Sequence, residues 1–456
     1  MQSSIKSKKQ IDIKEFYALN IGSIWRGLKQ EHFSLWFLCA YFLFEYIRPQ
    51  ELYPAINFLP WAFYFMLLAV VAAFLDKSVT WVGTPLNKYL FLCMFIIFLS
   101  AVFSYFPMES WKERNTMLTW LIVYFLVICI VNTEKRLILF LLAYMLFNLK
   151  MSQFGAINWI MRGFSFAGYG LVGAPGWFKN SGEFAIQMLI FGSLAVAYVV
   201  AFRKYWGKYK RWLMIALAAT GYICVLGASS RGAQLGLAGI VIWGLLRIRG
   251  GFKFLILVLT LSFALYHLLP EQQLKRFQSS GEDKTSLQRL AYWQIGLKLA
   301  EEHPVLGIGY ENWMPYVSRL YPEGVGPYHK IQVCHNIYIQ AASELGYTGL
   351  VCFILTALAG FGLNVRTRKM VKKSEYKYFI VLTYGLDAGM IGYLIAGSFV
   401  TVLYYPFFWI QLAMIAMLYN IASNLTRNTY GKVNIAKGEL NGEVGYKTNK
   451  SVSGEN

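Results

Sequence analysis

The feature that most restricts this chain is a repeated run of about 15–20 apolar residues, interrupted each time by a short polar or basic stretch. A helix of that length crosses a bilayer core of ~30 Å. Inside hydrocarbon each backbone N–H and C=O must be satisfied within its own segment, so such runs fold as helices. Strand-period alternation is absent, which argues against a barrel. Only 14% of the 456 residues are charged and 57% are hydrophobic, too little polar surface for a soluble globule. The expectation is an all-α polytopic membrane protein of about twelve transmembrane helices, with a large, partly helical loop between the ninth and tenth.

The spans are expected near 33–47, 56–75, 88–106, 117–131, 136–154, 184–202, 212–227, 232–246, 252–269, 337–363, 379–399 and 406–421. Basic residues then sort themselves by side. Arg203, Lys204, Lys208, Lys210 and Arg211 share one loop; Arg247, Arg249 and Lys253 share another. A third holds Arg366, Arg368, Lys369, Lys372, Lys373 and Lys377. All three fall on the side of the N-terminus, which the positive-inside rule makes cytoplasmic, and an even span count brings the C-terminus to the same side. The net charge of +20 is thereby read as topology, and no nucleic-acid partner is expected.

The organisation that follows is a cytoplasmic segment 1–32, nine helices over 33–269, a large periplasmic loop 270–336, three helices over 337–421, and a tail 422–456. In the first segment Ile13, Phe16, Tyr17, Ile21, Ile24, Trp25 and Leu28 recur at helical spacing, which predicts one amphipathic helix lying on the membrane surface. The polar tail after Asn424 is expected to be disordered. A second long periplasmic loop, 155–183, is rich in glycine and aromatics. Loops of this length in a compact protein tend to carry function. The six cysteines and five histidines show no spacing that suits a disulfide framework or a metal centre, so neither metal nor cofactor is expected.

Three stretches carry chemistry. In Ala228-Ser229-Ser230-Arg231-Gly232-Ala233 a serine can cap the helix that begins there, and Ser230 with Arg231 would offer a phosphate a helix N-terminus and a guanidinium. Arg231 can equally be an interfacial arginine reaching for lipid headgroups. Gly232 and Gly236 read as a helix-packing pair. Thr285-Ser286-Leu287-Gln288 resembles a capping box, predicting a helix that ends before His303-Pro304. Arg289 sits in its first turn, against the dipole, so either a function or a nearby carboxylate is needed to explain it. Gly307-Ile308-Gly309-Tyr310 predicts a tight turn. In Cys334-His335-Asn336, entering the tenth span, Asn336, Gln340 and Glu344 recur every four residues and line one helix face, which in a membrane must meet protein or water. His335 stands at the mouth of that stripe, where it is either structural or a proton acceptor near neutral pH.

The ordered set Ser-Arg-Gly-Ala, Arg-Leu-Ala-Tyr-Trp, Glu-His-Pro-Val-Leu-Gly-Ile-Gly-Tyr-Glu-Asn-Trp, His-Asn-Ile-Tyr and Glu-Leu-Gly-Tyr-Thr-Gly-Leu resembles the O-antigen ligase and polymerase superfamily, over about residues 180–360. The resemblance implies a metal-independent glycosyltransferase in the bacterial inner membrane. Its donor would be a glycan on undecaprenyl diphosphate and its acceptor lipid A–core, a growing polymer or a protein. It implies that Arg231 and Arg289 hold the diphosphate and that His335 activates the acceptor hydroxyl. Lys179, Asn180, Ser230, Asn336, Gln340 and Glu344 are supporting candidates. Arg162 and Gly173 also fit an Arg-x10-Gly spacing discussed for polymerases. A transporter is the rival from another class, suggested by Asp387 inside the eleventh span and opposed by the absence of a clear internal repeat.

Overall fold

A computed structural model describes residues 11–165, 170–247, 253, 256, 259–260 and 283–448. Among them the regular structure is helical, apart from one isolated bridge between Val325 and Lys330. Two short helices, α1 (Ile13–Tyr17) and α2 (Ile21–Lys29), precede the apolar ones. The apolar helices before the large loop are α3 (Phe33–Tyr46), α4 (Trp61–Leu75), α5 (Asn87–Val102), α6 (Arg114–Ile130), α7 (Glu134–Met161), α8 (Ser181–Phe202), α9 (Lys208–Gly227) and α10 (Arg231–Leu245). The loop contributes α11 (Lys284–Glu302) and α12 (Trp313–Leu320), and the chain ends with α13 (Ile337–Val371), α14 (Tyr378–Ala396) and α15 (Pro406–Thr448).

Seven helices among the described residues are long and apolar enough to cross a membrane: α7, α8, α9, α13, α14, α15, and α6 together with the short helix before it. Three shorter apolar helices, α3, α4 and α5, stand where the first three spans are expected. The expected ninth span, 252–269, lies almost wholly outside the described residues. α8 and α15 form the centre: 89% of the apolar window of each is buried by protein, against 28% for α9. α8 packs on α14 and α9, α13 lies between α5 and α15, and α15 reaches α6. Glycines permit the closest approach. A Cβ on Gly236 would stand 2.8 Å from the Gly392 carbonyl oxygen, so the α10–α14 seam is a small-residue contact and the packing role expected of Gly236 holds.

Several expectations need correction. The N-terminal stripe is two helices, because Leu19 takes a left-handed φ of 53° and Asn20 caps a new start by accepting from Ser23 N–H at 3.2 Å. The first of them docks on protein instead of lipid: Phe16 and Tyr17 are buried, and Trp206 donates its indole N–H to the Tyr17 carbonyl at 2.7 Å. The glycine-rich loop begins at Arg162, not Gly155, since α7 runs on to Met161. Gly155 instead packs on Cys224 and Phe184. α15 continues to Thr448, past Asn424, where a disordered tail is expected; no proline after Pro406 interrupts it. Finally, α11 starts at Lys284 with Asp283 as its cap, accepting from Ser286 N–H at 3.0 Å, two residues ahead of the Thr285 capping box. Its end at Glu302, with His303 as C-cap, falls where Pro304 predicts.

The element that shapes the site is α13. It is broken at Gly346, whose φ of 71° and ψ of 179° lie far outside the helical region. Carbonyls released by such a break must find donors. The Gly307-Ile308-Gly309 turn supplies them: Ile308 N–H donates to Ser343 O at 2.9 Å and Gly309 N–H to Glu344 O at 3.1 Å. Tyr347 N–H donates in return to Pro304 O at 2.8 Å, and Ser100 Oγ donates to Glu344 O at 2.8 Å. Gly307 and Gly309 have φ of 66° and 118°, conformations for which glycine is the default. The loop and the broken helix are thus stitched into one unit.

Candidate functional site

The unit faces a cavity of about 700 Å³. The N-terminal turn of α8 (Asn180, Glu183), Arg289 of α11, Glu311, His335, Gln340 and Glu344 of α13, and Thr401, Tyr404 and Tyr405 between α14 and α15 all line it. Two helix N-termini therefore meet at one polar chamber, and their positive dipole ends favour an anionic guest.

His335 is half-buried and sits at a left-handed φ of 54°, a conformation that non-glycine residues occupy at some cost and that clusters at functional sites. Its backbone N–H donates to Thr401 Oγ1 at 2.7 Å. The next residue, Asn336, caps α13 by accepting from Tyr338 N–H at 2.8 Å and Ile339 N–H at 3.2 Å. Between them these bonds fix the imidazole's place on the cavity wall. Burial and the neighbouring Arg289 guanidinium push the His335 pKa down to about 4, so the ring is neutral at pH 7 and has a lone pair to accept a proton.

Arg289 is half-buried on the same wall. Burial lowers its pKa, Arg231 lowers it further, and Asp283 opposes them. Because α11 starts at Lys284, Arg289 is its sixth residue, past the first turn where it is expected, and Asp283 is the nearby carboxylate that offsets its charge. It also holds Arg231: both terminal nitrogens of Arg231 donate to Asp283 Oδ2 at 3.2 Å, and one reaches Ser286 Oγ at 3.4 Å. Burial would raise the Asp283 pKa, but the Ser286 hydroxyl and N–H and the Arg231 guanidinium outweigh it and hold the carboxyl at about 2. Arg231 thus stands beside the cavity, tied to the helix that carries Arg289, and is not among the residues that line it. Ser230 caps α10 as expected, accepting from Ala233 N–H at 3.4 Å, and a Cβ on Gly182 would lie 3.7 Å from its hydroxyl.

The stripe on α13 divides in two. Asn336 is spent on capping, whereas Gln340 and Glu344 reach the cavity. Gln340 Oε1 accepts from Leu403 N–H at 3.3 Å and Glu344 Oε1 from Trp313 N–H at 3.0 Å, which ties α12 and the α14–α15 connection to the same face. Asn180 lines the cavity and donates to Glu183 at 3.0 Å, while Lys179 is exposed and does not line it. Arg162 is exposed at the end of α7, and Gly173 packs on Phe178 and Phe184. Asp387 is buried and already partnered: Arg368 Nη1 donates to it at 2.6 Å and Asn364 Nδ2 at 2.7 Å.

Sequence reasoning passed over Asp283, Glu183, Glu311, Thr401, Tyr404 and Tyr405. Glu311 lies inside a quoted motif, and its φ of 55° was not readable there. Burial, together with the Glu344 and Glu113 carboxylates, pushes Glu311 well above the usual carboxylate range, which favours its protonated, hydrogen-bond-donating form. Glu183 accepts from the Tyr405 hydroxyl at 3.3 Å and keeps Oε2 buried without a partner. The lining therefore holds two kinds of group, Arg289 beside His335, and Glu311 near Glu344, Tyr404 and Tyr405.

Fold and site together define a polytopic helical membrane protein with a polar chamber at one end of its bundle. Residues 215–354 match the protein-family model described as O-antigen ligase, which supports membership of the O-antigen ligase and polymerase superfamily and bears out the motif resemblance. The matched stretch contains Arg231, Asp283, Arg289, Glu311, His335, Gln340 and Glu344. No curated protein matches the chain.

Proposed function

We propose that the protein transfers a glycan from undecaprenyl diphosphate to an acceptor hydroxyl in this cavity. The observation that carries the reading is that His335 and Arg289 share one cavity wall, with Arg231 held beside them by Asp283. Arg289 and Arg231, with the N-terminal ends of α8 and α13, would take the diphosphate. Charge grows on that group as the bond from the anomeric carbon to the diphosphate oxygen breaks, so fixed cations stabilise the transition state more than the ground state. The acceptor oxygen forms the new bond to the anomeric carbon from the opposite face, and its proton passes to the neutral imidazole of His335. Undecaprenyl diphosphate leaves as the anion. Glu183, Glu311, Tyr404 and Gln340 line the same cavity and would hydrogen-bond sugar hydroxyls.

In this reading the chain has twelve spans in the inner membrane with both termini cytoplasmic, the cavity opens to the periplasm, and the acceptor is lipid A–core. His335→Ala should reduce transfer by about 10²–10⁴-fold while leaving expression and donor binding in place, and Arg231→Ala should weaken donor binding. Near-normal activity in both variants would sink the site assignment. Deleting the gene tests the acceptor. Loss of the lipid-A ladder with long polymer retained on undecaprenyl diphosphate marks a ligase, and a core carrying a single repeat unit marks a polymerase instead.

A further inference from the structure

A second cavity of about 530 Å³ lies at the same end of the bundle, between the C-terminal end of α3 and the N-terminal ends of α4 and α6. It adjoins the first across an aromatic wall. Trp177 stands edge-on to Tyr405 at 4.6 Å and to Trp120 at 5.8 Å between ring centroids. Trp120 donates its indole N–H to the Tyr404 carbonyl at 2.8 Å, and Trp177 donates to Glu45. Trp120 and Trp177 line the second cavity while Tyr404 and Tyr405 line the first. Arg48, at a left-handed φ of 51°, lays its guanidinium against Gly176, where a Cβ would stand 2.1 Å from Nη1. The loop that presents Trp177 is thereby anchored.

The lining has the character of a saccharide site. A sugar ring offers apolar C–H faces and a rim of hydroxyls that both donate and accept. Trp61, Trp177 and Phe58 supply flat apolar plates, and Asn57, Asn115 and Thr116 supply side chains of both hydrogen-bonding senses. Arg48 is offset by Glu45 and Glu51, so among the described lining residues no cationic excess exists to select a phosphate. The interior also holds unused polar atoms. The Tyr41 hydroxyl, Gln50 Oε1 and Arg48 Nε are buried with no partner, and all three residues line the cavity. Tyr41 is 1% exposed and Gln50 9%. Buried polar groups are almost always satisfied, so orphans grouped around one chamber point to a guest that satisfies them.

We propose that this second cavity binds a saccharide segment and holds it against the aromatic wall of the first. The segment is drawn either from the carried glycan beyond its reacting sugar or from the acceptor. The link to transfer rests on the function proposed above, whereas the binding itself does not. The test measures binding by saturation-transfer NMR on the full-length protein in lipid nanodiscs. One arm uses the oligosaccharide released from the undecaprenyl-linked glycan, the other the lipid A–core oligosaccharide, and the arm that responds identifies the source. Tyr41→Phe and Thr116→Val should each weaken binding about fivefold. Tyr41→Phe should leave the unfolding temperature unchanged, since its hydroxyl has no protein partner to lose. His335→Ala should bind as the unmodified protein does. Equal binding by the unmodified protein and both cavity variants overturns the proposal, as does no binding of either oligosaccharide by any of them. Transfer retained in His335→Ala would count against the first cavity's reading alone.

Discussion

For the transfer proposed above, His335 must be uncharged and yet basic. Burial and Arg289 hold its pKa at about 4 in the free protein, which guarantees the neutral ring but makes it a weak proton acceptor. In the proposed complex, a diphosphate at Arg289 would offset the guanidinium charge and let the imidazole climb back toward its ordinary value of about 6.5. Base strength would arrive with the donor. The sign is fixed by the role: a general base works deprotonated, so the rate falls as pH drops through its pKa. The acid limb of kcat/KM, which reports the free protein, should therefore lie near pH 4, and that of kcat, which reports the bound complex, should lie at about 6–7. Replacing Arg289 by Gln removes a lowering charge, so the kcat/KM limb should move up as the rate falls. Coincident limbs in the unmodified protein would refute the coupling. His335, Gln340 and Glu344 were legible because they follow one another along one short stretch. Asp283 and Thr401 were not, because each acts on a partner far along the chain, Arg231 in one case and His335 in the other.

At the scale of the element, the break in α13 follows directly on the turn that carries Glu344 to the cavity. A Cβ on Gly346 would fall 2.4 Å from the Val305 carbonyl oxygen, at a φ that L-residues avoid. Gly346→Ala should therefore cost about 2 kcal/mol or more in thermal unfolding and remove most transfer activity. Gly362→Ala makes the control. It lies in the same helix with nothing within 4 Å of the added carbon, so it should be neutral or slightly stabilising. If both variants unfold alike, the stitch does not matter to stability. The sequence shows why 337–363 reads as one span: its apolar run is continuous, and a lone glycine in a helical pattern is ordinarily tolerated. The break is visible only once Ile308 and Gly309 are seen donating into it. Among the described residues, helix presence and approximate place were readable from apolar length, whereas the N-terminal split at Leu19 depended on a backbone conformation that no hydrophobic pattern encodes.

Across the whole molecule, the end of the bundle away from the cavity is held by buried charge. Arg136, 4% exposed, donates through Nε to Glu31 at 2.7 Å and through Nη2 to Asp76 at 3.0 Å, and Asp76 also accepts from Ser34 at 2.6 Å. These contacts tie the start of α7 to the end of α4 and the start of α3. Arg136→Met would leave Asp76 without its guanidinium and Glu31 with Lys135 alone, at 2.9 Å, and should destabilise the protein by about 3 kcal/mol, read as a lower unfolding temperature. Because the cavity lies at the far end, residual transfer per folded molecule should stay near that of the unmodified protein. The stitch between loop and helix reaches beyond the finished structure, into how the chain is made. Translation delivers Pro304, Ile308 and Gly309 before Ser343, Glu344 and Tyr347, so the groups that close the break exist before the break itself leaves the ribosome. A helix that would otherwise enter lipid with bare carbonyls would meet donors already made, in the turn at Ile308 and Gly309.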